Sequence, residues 1–174
     1  MKKSTIASLL AFAALAPAAA FASDGTITIN GAVTAQTCTI NGSGSKDFTV
    51  TLPQVSSTAF TASPKAGATK FTIALTNCTP AGGNARAFFE AGANVDATTG
   101  RLKNTGAAAN VQIGLATMAG ADIVIGAGSG SQNTTYVPIT SGSANLDYLA
   151  QYVSTGAVGV GAVTTSVTYS IEFQ

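Results

Sequence analysis

Few residues in this sequence could do covalent or acid–base chemistry. It contains no histidine and no tryptophan, so neither a serine–histidine nor a cysteine–histidine nucleophile pair can be built. Seven carboxylates (Asp24, Asp47, Glu90, Asp96, Asp122, Asp147, Glu172) stand singly and far apart. No spacing among them singles out the paired acid and base of a glycosidase. The run Gly126-Ala127-Gly128-Ser129-Gly130 lacks the Lys-Ser/Thr and the following helix of a phosphate-binding loop. Asn-x-Ser/Thr triplets begin at Asn41, Asn77 and Asn133, matches that chance supplies in a chain this rich in those residues. That leaves Cys38 and Cys78. Without histidine or further thiols they do not suggest a metal site. In an oxidising compartment a minimal even pair reads as one disulfide. The residue types therefore predict no catalytic centre, no metal and no cofactor.

The amino end predicts the compartment. Lys2 and Lys3 precede an apolar run from Ile6 to Phe21, and Ala20-Phe21-Ala22 has the small-x-small pattern of a cleavage site. Residues 1–22 thus read as a secretory signal peptide cut between Ala22 and Ser23, leaving one domain-sized chain, residues 23–174. With the two leader lysines gone from eight basic residues, against seven acidic ones, the remaining charge is close to zero. No electrostatic case exists for nucleic acid or an anionic membrane surface. Charged residues make up only 9% of the sequence, far below the ~25% of ordinary globular chains. Such a surface protects poorly against association, a liability for a free monomer but tolerable in a polymer.

The elements that carry these residues alternate with period two. Thr26–Cys38, Phe48–Leu52, Lys70–Asn77, a strand around Phe88 and Phe89, Arg101–Lys103, Val111–Leu115, Ile123–Ile125 and Leu146–Val153 are separated by Gly, Asn, Ser and Pro clusters. This pattern predicts an antiparallel, all-β, immunoglobulin-like sandwich whose disulfide ties its first two long strands. The last fourteen residues, GAVTTSVTYSIEFQ, are the most strongly patterned. Val163, Thr165, Val167, Tyr169, Ile171 and Phe173 fall on one face, and Thr164, Ser166, Thr168, Ser170, Glu172 and Gln174 on the other. The mature amino end alternates too, as Thr26-Ile27-Thr28-Ile29-Asn30-Gly31-Ala32-Val33. Exposed alternating edges invite pairing with another chain. An amino-terminal strand docked beside a neighbour's carboxyl-terminal strand would build a fibre by head-to-tail contacts that never close.

Three anchors at their relative spacing carry a resemblance. The run Gly25 to Cys38 (GTITINGAVTAQTC), the strand Phe71 to Cys78, and a carboxyl end with Gly161 fourteen residues from the last residue and a penultimate Phe173 resemble type 1-like fimbrial (pilin) subunits of the chaperone–usher pathway. The resemblance covers essentially the whole mature chain. It implies an incomplete immunoglobulin-like β-sandwich, a pilin fold lacking its last strand, which leaves a groove beside the terminal strand. A periplasmic chaperone fills that groove first and holds the terminal carboxylate. At an outer-membrane usher, the next subunit's extension replaces it by donor-strand exchange. Carried onto this sequence, residues 23–35 are the donor extension and 36–174 the pilin domain. Ile27, Ile29 and Val33 enter a neighbour's groove, and Gly31 is where a larger side chain would be blocked. The short arm before Cys38 leaves the boundary between donor segment and first strand open at Val33. On the acceptor side, Gly161, Val163, Val167, Tyr169, Ile171 and Phe173 line or flank the groove, and Gln174 supplies the anchoring carboxylate.

The resemblance implies a structural, non-enzymatic subunit of a surface fimbria that supports adhesion. It points to the major repeating type, since a tip adhesin carries an additional receptor-binding domain, and leaves a minor or adaptor subunit as the alternative. Two other classes share parts of the pattern. A small outer-membrane β-barrel also has a leader, alternating strands and a terminal aromatic, but an aromatic content of 7% is thin for two girdles and the strands are short for a crossing. A secreted carbohydrate-binding sandwich would be expected to show an exposed aromatic platform, and tryptophan is absent.

Overall fold

A computed structural model of the chain describes residues 28, 31, 33, 35–42 and 46–174. The leader, the Ala22–Ser23 cleavage point and the donor residues Ile27 and Ile29 lie outside them. Contacts divide the chain into two units, Met1–Val33 and Thr34–Gln174. In the first, Thr28, Gly31 and Val33 are exposed and outside any strand.

The second unit is all-β, with one 3₁₀ turn at Ser57–Phe60. In chain order its strands are β1 (Thr37–Ile40), β2 (Lys65–Thr79), β3 (Asn84–Phe89), β4 (Val95–Asp96), β5 (Arg101–Lys103), β6 (Val111–Thr117), β7 (Asp122–Ile123), β8 (Val137–Pro138), β9 (Ala144–Ser154) and β10 (Tyr169–Phe173). The larger sheet runs β1-β2-β9-β6-β5-β4, with β7 also on β6, and the smaller runs β10-β3-β8. Both are antiparallel throughout. Period-two alternation explains the layering: Ile73 and Leu75 on β2, Ala85, Ala87 and Phe89 on β3, and Leu146 and Tyr148 on β9 point into one shared core. The Cys38–Cys78 disulfide joins β1 to β2, as the sequence predicts.

Several boundaries differ from the sequence expectation: the strand expected over Thr26–Cys38 is instead β1, Thr37–Ile40, with residues 28, 31, 33, 35 and 36 outside any strand, and that expected over Ile123–Ile125 is Asp122–Ile123. The long strand ending at Cys78 begins at Lys65, not Lys70, because it passes through an irregular register between Ala66 and Thr69. Gly67 permits this with φ +66°, so a residue that reads as a strand breaker is instead a bulge. Residues 48–52, expected as a strand, lie outside every strand ladder among the described residues. The terminal segment, expected as one strand from Gly161, forms a ladder only over Tyr169–Phe173. Its earlier half is held by single hydrogen bonds to residues 105–109: Ala108 N–H to Ala162 C=O (3.0 Å), Thr105 N–H to Thr164 C=O (2.8 Å), and Gly159 N–H to Ala109 C=O (3.0 Å).

A groove beside the terminal strand

Among the described residues β10 is an edge strand of the smaller sheet, flanked by β3 on one side only. Glu90 N–H donates to Thr168 C=O (2.9 Å), and Gln174 and Asn84 exchange both backbone bonds (2.9 and 2.8 Å). The even-numbered backbone groups therefore face β3. By the alternation of an antiparallel ladder, those of Val167, Tyr169, Ile171 and Phe173 face the open flank. Side chains follow the predicted pattern but not to full burial. Val163, Thr165, Val167, Tyr169, Ile171 and Phe173 are half-buried, while Ala162, Thr164, Ser166, Thr168 and Ser170 are exposed. All the apolar members of that row pack against the core. One sheet edge thus combines unpaired backbone groups with an apolar row that the domain covers only in part.

The register of β10 is fixed by an ion pair. Glu172 lies opposite Arg86 in the β3 ladder, and its Oε2 accepts from Arg86 Nε at 2.7 Å and lies 2.6 Å from Nη2. Arg86 projects from the outer face of β3 but is buried because residues 128–136 fold over it. Its guanidinium donates to Ser129 Oγ (2.9 Å) and Thr134 C=O (3.3 Å) and stacks 4.4 Å from the Tyr136 ring centre. A buried guanidinium with its donors engaged is a geometrically demanding partner. Sequence reasoning missed this pair, since an arginine in an alternating strand reads as solvent-facing.

The facing wall is segment 46–55. Val50 and Leu52 pack on the core, while Phe48 is 41% exposed. Tyr169 crosses between the walls: its hydroxyl donates to Lys46 C=O (2.7 Å), and Phe48 meets its ring edge-on at 6.1 Å. Burial, with a smaller contribution from the Asp47 charge, pushes the Tyr169 phenol above its ordinary pKa. Further along, Tyr152 donates to Pro53 C=O (3.2 Å). The groove opens there into a cavity of about 530 Å³ lined by Val55, Phe60, Val111, Tyr152 and Val163. Gly161 lies at this end, where a Cβ would stand 2.6 Å from Ala108 N. Only glycine lets the terminal segment approach so closely. At the opposite end the Gln36 amide donates to Gly82 C=O (2.7 Å), and Gly83 lies against both Gln36 and the Gln174 carbonyl.

Carboxylates among the described residues are engaged in structural contacts. Asp122 pairs with Lys65 (2.5 Å) and Arg101 (3.8 Å), Asp147 with Lys70 (2.9 Å), and Asp96 caps its own turn through Thr98. What the arrangement offers is an edge and a slot, suited to binding a strand.

A disulfide-tied antiparallel β-sandwich whose β10 edge carries an apolar row that the domain covers only in part is suited to pairing with a further strand. The profile of the type-1 fimbrial protein, A, family matches residues 52–174, and the chain belongs to that family. It is 48% identical over 169 residues to the major fimbrial subunit SMF-1 of Stenotrophomonas maltophilia, covering 92% of this chain and 99% of that one. It is 42% identical to the F17 fimbrial protein of Escherichia coli, covering 93% and 94%. Two solved structures share its fold. One is a chaperone–usher pilus (TM-score 0.60, 22% identity, 87% and 96% covered). The other is the P pilus rod subunit PapA (TM-score 0.59, 20% identity, 79% and 99% covered). The protein is therefore a structural fimbrial subunit, exported to the cell surface and assembling with related subunits.

Proposed function

We propose that the subunit polymerises by donor-strand exchange, residues 23–35 of one copy docking in the groove of another. The observation that carries this reading is the open flank of β10, where unpaired backbone groups and a half-covered apolar row coincide. Burying Ile27, Ile29 and Val33 contributes roughly 5–8 kcal/mol before ordering costs, and each new backbone hydrogen bond about 1 kcal/mol net. Before assembly a periplasmic chaperone supplies the missing strand and holds the Gln174 carboxylate. The leader, cut between Ala22 and Ser23, delivers the chain to it, and an outer-membrane usher hosts the exchange. The fibre built in this way supports cell adhesion.

Geometry favours one direction of docking. Gln36, just after the donor segment, is anchored at the end of its own domain that also carries Gln174. A donor parallel to β10 would set the same ends of two domains together, an isologous contact that closes after two copies. An antiparallel donor sets unlike ends together and repeats without closing. The antiparallel register that matches apolar to apolar residues pairs Val33 with Val163, Ile29 with Val167 and Ile27 with Tyr169, and sets Gly31 opposite Thr165.

A synthetic 24–35 peptide added to the mature chain tests the reading and is expected to raise its stability. Gly31→Arg should abolish fibres without disturbing the free subunit, because a Cβ at Gly31 meets nothing within 4 Å. Surface fimbriae should run unheated in detergent as a ladder. Normal fibres from Gly31→Arg, or no gain from the peptide, would refute donor-strand exchange.

A further inference from the structure

Segment 46–55 lies outside every strand ladder among the described residues, yet tyrosine hydroxyls reach it near both ends. Tyr169, on β10, donates to the Lys46 carbonyl at 2.7 Å, and Tyr152, on β9, to the Pro53 carbonyl at 3.2 Å. Both rings are half-buried and packed against the core, a task that phenylalanine would perform equally well. The hydroxyls are what the packing leaves unexplained. Local structure makes room for one of them. A Cβ at Gly67, in the β2 bulge, would stand 2.9 Å from the Tyr152 ring and 3.3 Å from Val55 of the wall, so the bulge clears the path by which this hydroxyl reaches Pro53. At the other end Phe48 lies between the rings of Tyr169 and Phe71, each 6.1 Å away.

A groove that receives a strand has to be about two strand spacings wide, roughly 9–10 Å. An apolar slot of that width is unfavourable while it stands open to water, and its walls are drawn together. Tyr169 opposes this. Its side chain starts on β10 and ends on Lys46, so a rigid ring and one hydrogen bond form a strut between the walls. The ring belongs to the row that packs on the core, which leaves the backbone edge of β10 free to pair. Tyr152 fixes the far end of the same wall, beside the cavity. Resting on the donor-strand reading, we infer that Tyr169 and Tyr152 are positioning residues of the groove, their hydroxyls holding the 46–55 wall where an incoming strand needs it. The slot is then preformed. Preforming a site removes the ordering cost from binding, so its loss slows the capture of a strand and leaves its release unchanged.

The test uses dilute, refolded mature chain, a fluorescent 24–35 peptide and amide hydrogen exchange. Tyr169→Phe and Tyr152→Phe keep the rings and delete one hydroxyl each. Each should speed exchange of the amides between Phe48 and Val55 and slow peptide association about fivefold, with dissociation unchanged. Tyr148→Phe is the control, since that hydroxyl accepts from Ala87 N–H at 3.1 Å between β9 and β3. It should lower the melting temperature at least as much and leave association as it was. A merely structural role for the wall tyrosines would make the three variants alike. Parental exchange in the wall, a loss that lies in dissociation, or an association loss shared by Tyr148→Phe overturns the inference. If the peptide fails to bind the unsubstituted chain, donor-strand exchange fails and this role falls with it. If it binds, and binds both wall variants at the parental rate, only the role of the tyrosines fails.

Discussion

Replacing Arg86 by methionine should cost the domain heavily. The substitution retains apolar bulk on β3 but removes the cation paired with Glu172, whose side chain is 24% exposed, from a position where the arginine itself is 10% exposed. It also strips the donors from Ser129 Oγ and Thr134 C=O and the cation from the Tyr136 face. Breaking a buried pair on one side leaves an uncompensated charge, a loss of about 3–5 kcal/mol. Against a total stability of roughly 5–15 kcal/mol, that lowers the melting temperature by about 10–15 °C. Glu172→Gln keeps an acceptor and forfeits only the charge assistance, so its loss should be about 1–2 kcal/mol. The double replacement Arg86→Met, Glu172→Met should recover most of the single variant's deficit, since a paired charge is exchanged for packing. Urea unfolding of the dilute mature chain reads all three, and amide hydrogen exchange should show the loss concentrated in β10. Arg86→Met within about 1 kcal/mol of the parent, or a double variant no better than the single, would refute the view that this ion pair sets the terminal strand.

Other consequences are open to measurement. The Asp96 carboxylate accepts from the Thr98 hydroxyl and N–H and from Gln112, which hold its pKa down at about 2 against an ordinary 3.8. A carboxyl with a depressed folded pKa stabilises above its unfolded value and loses that contribution as pH falls from about 4 towards 2, so Asp96→Asn should flatten the melting temperature across that window. Asp147, held down first by the Thr72 hydroxyl and then by Lys70, should add to the same acid sensitivity. Gly161→Ala sets a Cβ against backbone at Ala107 and Ala108. It should cost about 1–3 kcal/mol and free residues 158–164, seen as faster amide exchange there. Reducing Cys38–Cys78, with its sequence separation of 40, should cost about 4 kcal/mol, read as a drop in the urea midpoint.

The fold was legible because its main strands keep period two over enough residues to be recognised: Phe71, Ile73 and Leu75, or Leu146, Tyr148 and Ala150. The short strands Val95–Asp96 and Val137–Pro138 were not, since two residues carry no period. The alternation of Val163 to Phe173 named one wall of the groove, yet the same pattern fits a fully covered closing strand. What distinguishes them is a missing neighbour, which no local pattern records. The opposing wall shows this from the other side. Phe48–Leu52 has the composition of a strand, but lies in no ladder among the described residues. Arg86 was illegible because its cover comes from residues more than forty positions away, and the reach of Tyr152 and Tyr169 because an aromatic in an alternating strand reads as core until its hydroxyl is seen to meet the facing wall.

The position of the disulfide has a mechanical consequence. In a fibre assembled by the proposed donor-strand exchange, pulling along its length would load each subunit just before Thr37 and again at β10. Cys38 is the second residue of β1, so tension entering there crosses at once to Cys78 through a covalent bond. The polypeptide between them, including the 46–55 wall, is left slack. From Cys78 only a short turn separates the load from β3, whose five register pairs with β10, from Tyr169–Phe89 to Phe173–Ala85, lie along the strand axes. Strands loaded in that direction must shear together rather than peel one bond at a time, so the terminal strand resists as a unit while the opposite wall of the groove keeps its shape.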